Sequence, residues 1–325
     1  MPDMIGDTLL ALCALALAFV MGFAIRKGSI CLVDAVAQWT VKRNSGRIRA
    51  FNIAAAASGC VILPLAWAFP SAITLAPSLP VTLLTLVCGI AFGLGARING
   101  GCAFGTIYRL GSGQVSFAAT LVGSVAGYVL ASSRIALPSE GAVTFGQPNL
   151  IGIFALIVCI SIAAPALQRR HLQNLRSLFR RNARTLRPFT AMLVIGVLGG
   201  LLYALAGSWT LIAVLQSEGR VAAGQSNLMI DAKAIAGASA LVLGAVSASL
   251  FSRRFSVKIG SGIDWARHLT GGVIMGAAAT GIPGGNGTIL VFGMPSGAMN
   301  MWASYAAMVL TLIVSFWPMR GRKTA

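Results

Sequence analysis

Residues 89–113 read GIAFGLGARINGGCAFGTIYRLGSG, and residues 272–297 read GVIMGAAATGIPGGNGTILVFGMPSG. The two stretches align with one inserted residue. Each has an apolar run, a Gly-Gly loop, a short apolar piece and a Ser-Gly turn. The loop is followed by Cys102 in the first stretch and by Asn286 in the second. This pattern predicts two copies of one structural unit, each with a helix that is interrupted at a glycine loop.

The composition is that of a membrane protein. Apolar residues make up 57% of the 325, charged residues make up 10%, and the mean hydropathy is +0.83. Ordinary soluble domains have about 45–50% apolar and about 25% charged residues. Basic residues outnumber acidic ones by 25 to 7. Because they occupy short stretches between apolar runs, we interpret them as a signal of membrane orientation and expect no nucleic-acid partner.

We count nine apolar stretches as membrane spans. The first follows an N-terminus that lacks the basic segment and cleavage site of a secretory signal, so we expect it to be retained. The predicted spans are 8–25, 51–69, 81–97, 115–133, 149–167, 189–206, 234–252, 269–283 and 299–317. The expected fold class is an all-α polytopic membrane protein in the lipid bilayer, with about nine transmembrane helices and short re-entrant helices.

The basic residues predict how these spans are oriented. Most of the 25 Lys and Arg residues fall in four stretches, 42–49, 169–187, 253–267 and 320–323. The positive-inside rule places all four in the cytoplasm. With nine spans, the N-terminus is then outside and the C-terminus is cytoplasmic, as in a multi-pass protein of the cell inner membrane.

A basic linker divides the chain into two halves. Five spans lie in the first half (1–167), the cytoplasmic linker covers 168–188, and four spans lie in the second half (189–325). The aligned units would therefore enter the membrane from opposite sides, as in the inverted repeats of secondary transporters and channels. The alternatives are chance similarity between two Gly-rich segments and glycines that serve only close helix packing.

The cysteines fall into two groups. Cys31 and Cys102 each follow a basic residue and a glycine at the start of a predicted re-entrant helix. The others lie inside apolar spans and are better explained as small apolar residues: Cys13, Cys60, Cys88 and Cys159. There is no CxxC pair and no Cys/His cluster at metal spacing, so we expect neither a disulfide framework, nor a metal, nor a cofactor.

The glycine loops and the two cysteines are suited to an anion. A Gly-Gly loop exposes backbone amides, and a half-helix directs the positive end of its dipole toward the same place. A neutral thiol adds a weak S–H donor. The candidate substrate-binding residues are Cys31, Cys102, Asn286, Gly100, Gly101, Gly284, Gly285, Arg97 and Arg109. The two arginines flank the Cys102 loop and either bind substrate or extend to the membrane surface.

Other polar residues have two interpretations each. The acids Asp34, Asp231 and Asp264 are proton-coupling groups, or else helix caps and ion-pair partners. The histidines His171 and His268 lie in basic stretches, where we expect solvated side chains. Weaker candidates for the lining of the site are Tyr203, Trp209 and 225–227.

Taken together, the motifs resemble the YeeE/YedE sulfur-transport family. They are Arg/Lys-x-x-x-Cys ending at Cys31, Gly-Gly-Cys-x-x-Gly at 100–105, and Pro-Gly-Gly-Asn at 283–286 followed by Gly-Met-Pro. The resemblance covers nearly the whole chain. It implies an hourglass-shaped inverted repeat in which cysteines at a constriction pass thiosulfate inward through S–H hydrogen bonds. It also implies a cytoplasmic sulfur-carrier protein as partner, which the basic inner face would attract.

On matching positions, the resemblance makes Cys31 and Cys102 two of the transporting thiols. A third cysteine is expected in the family where this chain has Asn286. We therefore predict a permease, not an enzyme, for thiosulfate, for another sulfur anion or for a selenium species. Two alternatives stay open, a membrane-embedded thiol redox enzyme, which needs two cysteines close enough to bridge, and a channel for a small solute.

Overall fold

The computed structural model describes residues 2–134, 141–168, 173–175, 178, 186–207, 210–224, 232–282 and 284–320. Over these residues the chain is mostly helical, with two isolated β-bridges and no strand. The helices are α1 (Pro2–Gly28), α2 (Leu32–Lys42), α3 (Gly46–Ala68), α4 (Leu83–Asn99), α5 (Ala103–Gly111), α6 (Ala118–Ser132), α7 (Leu150–Ala163), α8 (Pro188–Ala206), α9 (Leu211–Ala222), α10 (Ala232–Phe251), α11 (Gly262–Ala279), α12 (Gly285–Thr288) and α13 (Met299–Phe316). A π-helical turn, Ile289–Gly293, continues α12.

Eight helical segments of the described chain are long and apolar enough to cross a membrane. They are Thr8–Lys42, Gly46–Ala68, Leu83–Gly111, Val115–Ser132, Leu150–Leu167, Pro188–Val221, Ala232–Phe251 and Met299–Met319. The predicted all-α membrane fold is thereby confirmed. The remaining predicted span, 269–283, overlaps α11, which begins seven residues earlier at Gly262 and ends at Ala279. Its first turns carry Asp264 and Arg267, which lower its hydropathy, so the count of nine stays a prediction.

Four long helices are each followed, after a short break, by a much shorter helix. The breaks separate α1 from α2, α4 from α5, α8 from α9 and α11 from α12. Each break contains a residue with positive φ: Ser29 (51°), Gly100 (73°), Gly207 (64°) and Gly284 (74°). That conformation suits glycine and turns the chain out of the helix. The interrupted helices are therefore built into the backbone at four places.

The packing of the helices relates the two halves of the sequence. Helix α1 packs on α10 and α3 on α8, while α4 packs on α13 and α6 on α11. The helices of the two halves correspond in order: α1 to α8, α3 to α10, α4 to α11 and α6 to α13. When each helix is replaced by its counterpart, the α1–α10 pair becomes the α8–α3 pair, and the α4–α13 pair becomes the α11–α6 pair. The short helices follow the same exchange, since α2 packs on α13 and α9 packs on α6. Helix α7 stands apart from this scheme and packs on α3.

Small residues let these helices come close together. A Cβ on Gly22 would collide with the backbone of Leu241, and one on Gly244 would collide with the backbone of Phe19, across the α1–α10 pair. Gly196 meets the backbone of Ala54 across the α8–α3 pair in the same way. In lipid, association depends on such close packing because helices gain little hydrophobic energy from meeting one another. The glycines thus hold the two halves against each other.

Candidate functional site

Two buried thiols meet where α2 and α5 begin. Cys31 is the N-cap residue of α2 and Cys102 is the N-cap residue of α5, both with extended backbone. Both sulfur atoms lie within 4 Å of one point, the place that a Cβ on Gly105 would occupy, and the residues are 2% and 0% exposed. The Leu32 N–H also donates to Cys102 Sγ at 3.2 Å. The structure therefore joins the two cysteines that the sequence singled out.

The last glycine of the Gly-Gly-Cys-x-x-Gly motif makes room for this contact. A Cβ on Gly105 would lie 2.6 Å from Cys31 Sγ and 3.9 Å from Cys102 Sγ. The backbone N–H groups of Gly105 and Asp34 interact electrostatically with the Cys102 and Cys31 thiols. The first turns of the two half-helices thus direct backbone amides at the sulfur atoms.

Asn286 of the second half completes this group. It is 1% exposed, its Oδ1 accepts a hydrogen bond from the Ala103 N–H at 3.3 Å, and its side chain interacts electrostatically with the Cys102 thiol. An asparagine amide has both donors and acceptors, so it contacts a backbone N–H and a thiol at once. Thiol, thiol and amide form the thiol site, which we define as Cys31, Cys102 and Asn286.

The amides of the glycine loops are engaged within the protein. Gly100 N–H and Gly101 N–H donate to Arg97 O and Ala96 O at 3.3 and 3.1 Å. In the second loop, the N–H of Gly284 donates to the Gln216 side chain, and the N–H of Gly285 donates to Ile282 O at 3.1 Å. These four amides are all engaged within the protein, whereas the Leu32 N–H donates to a sulfur atom of the thiol site.

A cluster of hydroxyls lies at the corresponding break of the second half. Thr210 is the N-cap residue of α9, the position that Cys31 holds on α2. Its Oγ1 is 2.7 Å from Thr288 Oγ1, and Tyr203 donates its hydroxyl to Thr288 Oγ1 at 2.8 Å. All three residues are buried. Of the sequence candidates Tyr203 belongs here, whereas Thr210 and Thr288 were missed because threonine in an apolar span gives no distinct signal.

A buried asparagine fixes the loop that carries Cys102. Asn99 Nδ2 donates to Gly101 O at 2.7 Å and to Thr106 Oγ1 at 3.3 Å, while its Oδ1 accepts from Thr120 Oγ1 at 2.7 Å. The ring of His268 adds a 3.0 Å contact from Nδ1 to the same Oδ1. The amide thus uses its full hydrogen-bonding capacity and ties both ends of the loop to α6 and α11.

The expectation of a solvated His268 is wrong. The residue is 8% exposed, and its ring lies 3.8 Å from the ring of Phe117, measured between centroids. Its basic sequence neighbours suggested a surface position, but α11 begins earlier than predicted and carries His268 into the helix packing. Asp264 was expected as a cap or an ion-pair partner, and it closes a capping box with Ser261 at the start of the same helix.

The two candidate arginines lie beside the loop and contact aromatic rings. The Arg97 guanidinium lies 4.4 Å from the Phe316 ring centroid, and the Arg109 guanidinium lies 5.3 Å from that of Phe117. Arg109 also pairs with Asp34 at 3.8 Å, an ion pair that remains partly exposed. Arg109 and Asp34 stand on α5 and α2, the helices that carry the two thiols.

The other cysteines lie elsewhere, and all six are free. Cys13 is exposed on α1, and Cys60 and Cys159 are partly buried on α3 and α7. Cys88 packs against Gly281 at the break after α11. Among the described residues there is no group of His, Cys, Asp or Glu that could hold a metal ion. The candidates His171, Trp209, Asp231 and 225–227 lie outside the described residues.

Interrupted membrane helices whose ends converge on a buried polar site are the architecture of a membrane transport protein. Comparison of the sequence with known protein families also indicates a transport protein. The model of the sulphur-transport family matches residues 27–314, and the chain therefore belongs to this family, the YeeE/YedE family. No curated protein matches the chain.

Proposed function

We propose that the protein carries thiosulfate, or a closely similar sulfur anion, into the cell past Cys31, Cys102 and Asn286. The observation that carries the proposal is the thiol site itself: two buried, neighbouring thiols beside an amide from the other half of the chain. These groups meet where interrupted helices converge, as substrate sites of secondary transporters do. Thiosulfate uptake goes beyond what family membership alone establishes.

The chemistry of the thiol site suits a sulfur anion. A neutral thiol donates a weak, polarisable S–H hydrogen bond, which fits the terminal sulfur of thiosulfate. A negative occupant keeps both thiols protonated, since a thiolate would repel it. The backbone N–H groups of Leu32 and Gly105 already direct positive dipoles at this point. Passage by exchange of hydrogen bonds requires no covalent step.

The topology that we propose is an inverted repeat of spans 1–4 and 6–9 in the inner membrane. The exchange of helix pairs between the halves supports it, as do the four breaks at corresponding helices. The distribution of basic residues supports an outside N-terminus and a cytoplasmic C-terminus. The same basic face would attract a cytoplasmic sulfur-carrier protein, which would accept the anion after passage.

Uptake of labelled thiosulfate by proteoliposomes tests the proposal. Cys31→Ser and Cys102→Ser keep the size of the side chain but replace the sulfur, and we expect each to lose most uptake. Cys13→Ser is the matched control, because Cys13 is exposed on α1 away from the thiol site. Insertion of every variant is measured by its yield in the membrane. Full uptake in either site variant, or no uptake by the parent protein, would contradict the proposal.

The same thiol contact favours one second candidate, a membrane-embedded thiol redox protein. Two cysteines whose sulfur atoms lie within 4 Å of one point are near enough to be tested as a disulfide pair. Alkylation of the purified protein before and after treatment with a mild oxidant separates the two functions. A transporter keeps Cys31 and Cys102 reduced throughout its cycle, whereas a redox protein loses both alkylation sites together and regains them on reduction.

A further inference from the structure

Tyr305 on α13 has a buried hydroxyl that lacks a hydrogen-bond partner. Its ring packs against the apolar core, and no described residue donates to the hydroxyl oxygen or accepts from it. Helix α13 packs on α2, which begins next to Cys31, and on α4, which ends at the loop that carries Cys102. Tyr305 therefore places an unpaired polar group on a helix that packs against both elements leading to the thiol site.

Two other buried tyrosines have partners. Tyr203 donates to Thr288 at 2.8 Å, and the Tyr128 hydroxyl receives the Arg220 Nε–H at 3.0 Å. Burying a hydroxyl without a partner costs about 1–3 kcal/mol, so most buried polar groups in proteins are paired. A ligand that enters the site would remove this cost by supplying an acceptor.

We propose that the Tyr305 hydroxyl donates a hydrogen bond to an oxygen atom of the anion held by the thiol site. The inference rests on the proposed function and assigns the site one further substrate-contacting residue. A phenolic O–H is a stronger donor than a thiol and prefers oxygen as acceptor. The thiols then contact the sulfur end of the anion, and Tyr305 contacts its oxygen end.

This division of contacts defines the class of substrate. An anion with both a terminal sulfur and oxygen atoms satisfies the thiols and Tyr305 together. An oxygen-free anion such as hydrosulfide leaves the hydroxyl unpaired, and a site built to bond an oxygen rejects a ligand that lacks it. Tyr305 is therefore a specificity-determining residue for sulfur oxyanions.

Tyr305→Phe removes the hydroxyl and keeps the ring. Tyr128→Phe is its matched control, because Tyr128 is also buried but its hydroxyl pairs with Arg220 away from the thiol site. The full-length parent protein, both variants and Cys102→Ser are purified in detergent. Calorimetric titration measures binding of thiosulfate, sulfite and hydrosulfide, and thermal unfolding without ligand measures stability.

We expect Tyr305→Phe to bind thiosulfate on the order of tenfold more weakly, as loss of a hydrogen bond to a charged group implies. Its unfolding temperature without ligand should equal or exceed that of the parent, since the variant removes an unpaired buried hydroxyl. Tyr128→Phe should show the reverse, a lower unfolding temperature with unchanged thiosulfate affinity. A structural role for Tyr305 would instead lower its unfolding temperature.

The outcomes separate this inference from the proposed function. Unchanged thiosulfate affinity in Tyr305→Phe, beside weakened affinity in Cys102→Ser, overturns the inference and leaves the proposed function standing. A lower unfolding temperature in Tyr305→Phe than in Tyr128→Phe also overturns it. If the parent binds sulfite but not thiosulfate, and Tyr305→Phe weakens that binding, thiosulfate is overturned while the role of Tyr305 is supported. A parent that binds only hydrosulfide, or none of the three, overturns both.

Discussion

Replacing Gly105 by alanine separates the transport role of the thiol contact from the stability of the fold. The new Cβ would lie 2.6 Å from Cys31 Sγ and 3.3 Å from Cys31 Cβ. Real Cβ atoms essentially never come within 3.0 Å of a heavy atom of a residue that is not their chain neighbour. Cys31 has one side-chain torsion that moves its sulfur. The Cys31 thiol therefore rotates away from Gly105, and its position relative to Cys102 changes.

The free energies of helix propensity and overpacking show whether Gly105→Ala changes stability or uptake. Alanine is favoured over glycine inside a helix by about 1 kcal/mol, whereas overpacking of a core site costs about 1–3 kcal/mol. Because Cys31 can adjust by rotation, the cost lies at the low end of that range, and the two effects nearly cancel. We therefore expect Gly105→Ala to insert and unfold almost as the parent does, while thiosulfate uptake falls by about tenfold or more, the equivalent of about 1.4 kcal/mol.

Proteoliposome uptake and thermal unfolding measure the two effects on the same preparation. Gly237→Ala is the matched control, since Gly237 lies within α10 and a Cβ there meets nothing within 4 Å. This control should keep full uptake and gain slightly in stability. Normal uptake by Gly105→Ala would refute the reasoning, because the thiol contact would then be dispensable.

Two further substitutions test the surroundings of the thiol site. Asn99→Leu should lower the thermal unfolding temperature by several degrees. The substitution leaves Gly101 O and the Thr120 hydroxyl without their partner, which costs about 1–3 kcal/mol for each group. An unchanged temperature would show that the fold does not need the hydrogen bonds of Asn99. Asn286→Cys should retain thiosulfate uptake, because it adds a third thiol. Asn286→Leu removes the acceptor of the Ala103 N–H and should lose uptake. Higher uptake by Asn286→Leu than by Asn286→Cys would contradict a role for Asn286.

The sequence predicts the fold and the centre of the site because both depend on local patterns. Apolar length identifies the spans, and glycine with positive φ marks the helix breaks at Gly100 and Gly284. A cysteine two residues after such a break is placed at the start of the next helix, so the approach of Cys102 to Cys31 follows from topology once the helices pack. The sequence therefore identifies both cysteines as candidates, and their role in binding substrate stays a prediction.

Other parts of the site depend on contacts that local sequence does not encode. His268 follows a basic stretch, yet helix packing buries it on Asn99. The amide of Gly284 was expected to face an anion, but Gln216, far along the chain, accepts its hydrogen bond. Tyr305 resembles any aromatic residue of a membrane helix, and only the buried, unpaired state of its hydroxyl distinguishes it.

The pairing of the long helices restricts how this protein can move. Helix α1 belongs to the first half and α10 to the second, yet Gly22 and Gly244 hold their backbones together, and Gly196 does the same for α8 and α3. A rocking motion of one half against the other would pull all of these interfaces apart. The two halves of the sequence are therefore not two separate bodies, because each bundle of long helices contains members of both halves.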